Sequence, residues 1–98
     1  MTARENEILN NTIDIIIQDL NPQKIIMFGS RAKGKSKNNS DFDLAVDIKR
    51  PDVRTRRIVE EKIYNEAGLY SVDLIYLNSV EKNFRDLVLK TGRVVYER

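Results

Sequence analysis

Ile25-Ile26-Met27-Phe28-Gly29-Ser30-Arg31-Ala32-Lys33-Gly34, then a short polar stretch, then Ser40-Asp41-Phe42-Asp43-Leu44-Ala45-Val46-Asp47, is the part of the chain that decides its fold. Ile25 to Phe28 form a continuous apolar run rich in β-branched residues, which predicts a buried strand. Gly29 stops the run and permits a sharp turn or a close approach to a ligand. Ser30 stands where a short helix can begin, as a favoured N-cap. Free backbone N–H groups and a hydroxyl at such a turn can bind phosphate oxygens. Arg31 and Lys33 add positive charge beside it.

In the second half, Asp41, Asp43, Ala45 and Asp47 alternate with Phe42, Leu44 and Val46. Residues two apart on a strand share a face, so Asp41 and Asp43 face one way and Phe42 and Leu44 the other. Adjacent carboxylates repel unless a cation or solvent separates them. Mg²⁺ takes one or two carboxylates together with substrate phosphates, so this pair suits it. Asp47 continues the parity further along and reads as solvated or as the partner of a basic side chain. An ordinary strand-to-helix turn contains Gly-Ser, and a solvated edge strand can contain Asp-x-Asp. Their order and closeness here point to a site for a metal-bound nucleoside triphosphate.

Gly-Ser-Arg-Ala-Lys-Gly followed by Ser-Asp-Phe-Asp-Leu resembles the signature of the minimal nucleotidyltransferases (MNT) of the DNA polymerase β superfamily, including those of HEPN/MNT toxin–antitoxin pairs. The likeness covers nearly the whole chain. Lys33 departs from it, since Arg is commoner there and Lys lacks bidentate phosphate geometry. The resemblance implies an α+β polymerase β-like palm fold, a small mixed β-sheet with helices packed on it. It implies that Gly29 and Ser30 hold the triphosphate of ATP, and that Asp41 and Asp43 bind two Mg²⁺ ions. A third carboxylate comes from a later strand, here Asp73 in Ser71-Val72-Asp73-Leu74-Ile75-Tyr76-Leu77. From the residues alone, Asp73 interrupts an apolar run and wants a partner, since acidic groups are rarely buried unpaired. A shared metal or an ordinary salt bridge would each satisfy it.

Composition narrows the chemistry. Ninety-eight residues predict one domain over 1–98, with 41% hydrophobic and 33% charged residues and a net charge of +2. That charge is too mild to argue for direct nucleic-acid binding. With no cysteine and no histidine, there is no disulfide framework, no thiol chemistry and no imidazole base. Catalysis must use carboxylates, Lys, Tyr, Ser or a metal. No apolar run approaches a membrane span and no signal peptide is evident, so a cytoplasmic location is expected.

Elsewhere, Leu9, Ile13, Ile16 and Leu20 predict a core-packing helix over residues 3–20, ended by Asn21-Pro22. Residues 34–40 read as a polar loop carrying Lys35 and Lys37. Gly34-Lys35-Ser36 also resembles the end of a P-loop, with Gly29 at the place of that pattern's first glycine. Pro51-Asp52 predicts the start of a helix running to about Ala67, with Val59, Ile63 and Ala67 as its apolar stripe and Gly68 as its C-cap. Lys49, Arg50, Arg54, Arg56 and Arg57 cluster at its first turns, where the dipole opposes them. They read as a solvated face or as a contact for an acidic partner. Residues 72–77 predict a third strand. Ser79 is expected to cap a last helix bearing Phe84, Leu87, Val88 and Thr91 on one face. Gly92 ends it, and Val94, Val95 and Tyr96 add a short edge strand.

The expected function is nucleotidyl transfer, with Asp73 helping to deprotonate the acceptor. The catalytic core takes up the whole chain, leaving no lobe to grip an acceptor. The resemblance implies a helical HEPN-type toxin as partner, with AMP attached to a tyrosine of it. A non-catalytic antitoxin, or a transferase acting on a small molecule or an RNA end, are the alternatives. Self-association is left open.

Overall fold

The computed structural model describes residues 1–34 and 41–98; the expectations for Lys35, Ser36, Lys37 and Ser40 lie outside these. The elements run α1 (Ala3–Leu20), β1 (Lys24–Phe28), α2 (Gly29–Ala32), β2 (Phe42–Val46), α3 (Val53–Ala67), β3 (Val72–Tyr76), α4 (Lys82–Thr91) and β4 (Arg93–Glu97). The strands form one mixed sheet in the order β3-β2-β1-β4. β1 runs antiparallel to β2 and β4, while β2 and β3 are parallel. Residues 93–97 thus form the edge strand that Val94, Val95 and Tyr96 announced.

Strand parity divides the interior into two layers. Ile25, Met27, Phe42, Leu44, Val46 and Tyr76 point to one face and pack with Ile8, Ile13 and Ile16 of α1 and Val59 and Ile63 of α3. Each fully buried aliphatic or aromatic side chain there contributes about 1.5–3 kcal/mol. Ile26 and Ala45 point to the other face, where they meet Leu77 and Val88, with Phe28 and Ile75 beside them. This second layer is the smaller of the two.

The helix ends show local chemistry at work. Thr2 and Glu5 make a reciprocal capping box at the start of α1. Asn21, in the left-handed region at φ 47°, ends α1 ahead of buried Pro22. Asp52 caps α3 by accepting from the Thr55 N–H at 2.7 Å, as Pro51-Asp52 predicted. One cap expectation is corrected. Glu81, not Ser79, caps α4, and the Ser79 hydroxyl instead accepts from the Arg50 N–H at 2.8 Å. Gly92 ends α4 as expected, and it is needed for space: a Cβ there would run into Ile26 Cγ2 and sit 2.6 Å from the Val88 carbonyl. On α4 only Val88 is buried; Phe84 and Leu87 remain exposed.

Candidate active site

β1 delivers the Gly29-Ser30 turn beside the start of β2. Phe28 lies opposite Asp43 in the antiparallel register, and Gly29 takes φ +75°, which side chains with a Cβ avoid. Asp43 fills the space in front of it: a Cβ at Gly29 would collide with Asp43 Oδ2 and lie 3.3 Å from Asp43 Cγ. The glycine is therefore required twice, by its backbone and by the carboxylate packed against it. Ser30 is exposed within the four-residue α2, whose N-cap is Phe28. It is not the cap residue that the sequence predicted.

β3 brings the third carboxylate. In the parallel register Asp43 lies directly opposite Asp73, so both side chains share one face of the sheet. Asp43 is half-buried, while Asp41 and Asp73 are exposed. Burial, reinforced by the Asp73 and Asp41 charges, raises the Asp43 pKa above its ordinary value, and a side-chain hydrogen bond with Asp73 adds to this. Among the described residues, no three acidic side chains are gathered as a metal-holding set. The close pair is Asp43 and Asp73, with Asp41 further out at the strand's start. Two crowded carboxylates suit a divalent cation that completes its shell with substrate oxygens. Phe28 and Phe84 make an edge-on ring contact at 6.0 Å on this same face. The first turn of α4 therefore lies on the Asp43 side of the pair.

The structure places Arg31 differently from the expected phosphate contact. Its side chain is fully buried and ion-paired to Glu5 Oε2 at 2.5 Å. Its guanidinium lies 4.0 Å over the Phe42 ring, on the sheet face opposite Asp43 and Asp73. The backbone N–H of Thr2 and the Arg31 guanidinium hold the Glu5 pKa down to about 2. Arg31 thus ties the Gly-Ser turn to α1 and to the root of β2. Sequence reasoning missed Glu5, whose place in a capping box hid its second role. Lys33 is exposed at the end of α2.

Residues 10–98 match the profile of the family described as polymerase beta, nucleotidyltransferase. A Haemophilus influenzae (strain ATCC 51907 / DSM 11121 / KW20 / Rd) protein named probable protein adenylyltransferase MntA is 35% identical over 89 residues, covering 88% of this chain and 77% of that protein. A toxin–antitoxin crystal structure with AMP-PNP superposes with a TM-score of 0.76 at 27% identity, covering 91% of this chain and 73% of the other. The toxin–antitoxin MntA-HepT superposes with a TM-score of 0.68 at 25% identity, covering 93% and 71%.

Proposed function

Because the chain belongs to the polymerase β-type nucleotidyltransferase family, we propose that it transfers AMP from ATP to a tyrosine hydroxyl of a HEPN-type toxin and acts as its antitoxin. The observation that carries this is the juxtaposition of Asp43 and Asp73 beneath the Gly29 turn. The named function of the H. influenzae relative and the nucleotide analogue in a related toxin–antitoxin structure support the nucleotide and the partner. The expected location is the cytoplasm; no described helix is long and apolar enough to cross a membrane.

In this reading Gly29 and Ser30 hold the β- and γ-phosphates, with Lys33 at the rim. Asp43 and Asp73, joined by Asp41, are the residues that would hold Mg²⁺. Bound there, two such ions would offset the triphosphate charge and stabilise the attacking and leaving oxygens. The acceptor oxygen attacks the α-phosphorus, and the bond from that phosphorus to the bridging oxygen breaks. Pyrophosphate leaves, and the phenolic proton passes to the exposed Asp73 carboxylate. Because the Asp43 pKa is raised, a cation binding at a pH below it must displace a proton, so affinity rises with pH until Asp43 is ionised.

The test is mass spectrometry of a co-expressed HEPN-type partner after incubation with ATP and Mg²⁺. One AMP added per modified tyrosine is expected. Asp43→Asn should keep the complex and lose the modification. A variant that still neutralises its partner would show that contact alone suffices and would refute the reading.

A further inference from the structure

We propose that the acceptor reaches the site as an extended segment of the partner, added as a fifth strand along the outer edge of β3. This rests on the transferase reading above.

β3 is the edge of the sheet beside Asp73, and no described strand pairs with its outer side. The Phe42 N–H donates to Ser71 O and the Leu77 N–H to Val46 O, both at 2.9 Å. The odd-numbered residues of β3 therefore carry the ladder to β2. The N–H and C=O groups of Val72 and Leu74 consequently point outward, available to another backbone. Such an edge is a template for strand addition.

Beside this edge lies a groove of about 640 Å³ between α3, the turn after it and β3. Tyr64, Leu69, Tyr70 and Val72 line it. Leu69 is 96% exposed and Tyr64 76% exposed, which is unusual for apolar bodies without a cover. Glu60 and Asp73 are the charged residues of the lining, with no Lys or Arg among them. The groove thus favours a neutral or basic occupant.

Strand alternation links these features. Residues of an added strand opposite Val72 and Leu74 face the apolar groove, whereas the residue opposite Asp73 shares its face of the sheet. Side chains directly opposite on neighbouring strands have Cβ atoms about 5 Å apart. One extended segment therefore seats apolar anchors in the groove and presents its central hydroxyl at the carboxylates. The edge is short, so the recognised segment is a few residues of a partner rather than a whole domain face.

The experiment uses nine-residue peptides with a central tyrosine, assayed for AMP addition with ATP and Mg²⁺. Transfer is expected to need apolar residues at the two positions flanking the tyrosine. Backbone N-methylation is expected to abolish transfer at one parity of positions and to be tolerated at the other. Leu69→Asp, at a fully solvated position, is expected to raise the peptide KM about tenfold, with ATP affinity and Tm unchanged. Calorimetry of Mg²⁺-dependent ATP binding is the control. ATP binding without peptide labelling, labelling indifferent to parity and to Leu69, or transfer to RNA instead, each overturns the strand-addition proposal alone. Absence of Mg²⁺-dependent ATP binding overturns the transferase reading and this inference with it.

Discussion

Two glycines with nearly the same backbone provide a controlled perturbation of the site. Gly29 has φ 75° and Gly34 has φ 69°. An alanine at either pays the left-handed penalty, about 1–2 kcal/mol. At Gly34 nothing lies within 4 Å of the new Cβ, so that penalty is the whole effect. At Gly29 the Cβ meets the Asp43 carboxylate. The carboxylate can swing aside for about 0.5–1.5 kcal/mol of rotamer strain, so Gly29→Ala should still fold. For a domain of this size each kcal/mol lowers Tm by about 4–8 °C. Gly29→Ala and Gly34→Ala should therefore differ by no more than about 12 °C.

Function separates them much further. Displacing a reacting group by about 1 Å can cost about a hundredfold in rate, or roughly 2.7 kcal/mol of barrier. Gly29→Ala moves the half-buried carboxylate of the pair, whereas Gly34→Ala leaves it in place. Pyrophosphate release with ATP, Mg²⁺ and partner should fall about a hundredfold for Gly29→Ala and stay within a few-fold of wild type for Gly34→Ala. Thermal melts of both variants supply the stability side. Equal activity losses in the two variants would refute the argument, because backbone strain alone would then explain Gly29.

Charge on the other sheet face gives an acid-side test. The Glu5 pKa falls from 4.5 to about 2 on folding, so its contribution is fully present above pH 4.5 and is lost as pH falls through about 2. Glu5→Gln should lower Tm at neutral pH and flatten its decline over that window, as followed by circular dichroism. Asp43 runs the opposite way. Its pKa is raised, so the folded state binds more protons and wild-type stability falls as pH rises from 3.8 through the folded value. Asp43→Asn should raise Tm at neutral pH while abolishing transfer, and a lower Tm would contradict the crowding described here. Gly92→Ala should cost about 1–3 kcal/mol by overpacking at Ile26 and the Val88 carbonyl, measured by urea unfolding.

The site was legible where chemistry is local. Asp43 announced its face by alternating with Phe42 and Leu44, and Gly29 announced a turn by following Phe28. Asp73 stood out because a carboxylate broke an apolar run. The register that sets Asp43 opposite Asp73 could not be read, since parallel pairing depends on a crossover through α3. Arg31 was illegible for the same kind of reason. Its partner Glu5 is 26 residues away, and no local spacing joins the start of α1 to the Gly-Ser turn. Ser79 failed as a cap because Glu81 competes for the same helix start, and Arg50 draws the serine hydroxyl away.

The position of Arg31 changes how the site must handle charge. An arginine beside a phosphate turn would ordinarily serve as its counter-charge. Here the guanidinium is spent on Glu5 and the Phe42 ring, across the sheet from the carboxylate pair. Breaking a buried pair leaves an uncompensated charge, so Arg31 has little freedom to turn towards a ligand. Within residues 29–34, Lys33 is then the exposed cationic side chain, and an ammonium in water interacts weakly at that range. Meanwhile Asp43 and Asp73 bring more negative charge towards a substrate that is already highly anionic. A triphosphate could settle against such a face only with cations between them. The fold gives the arginine of the turn the task of holding the turn in place, and in the proposed reading a divalent cation would be the principal counter-charge.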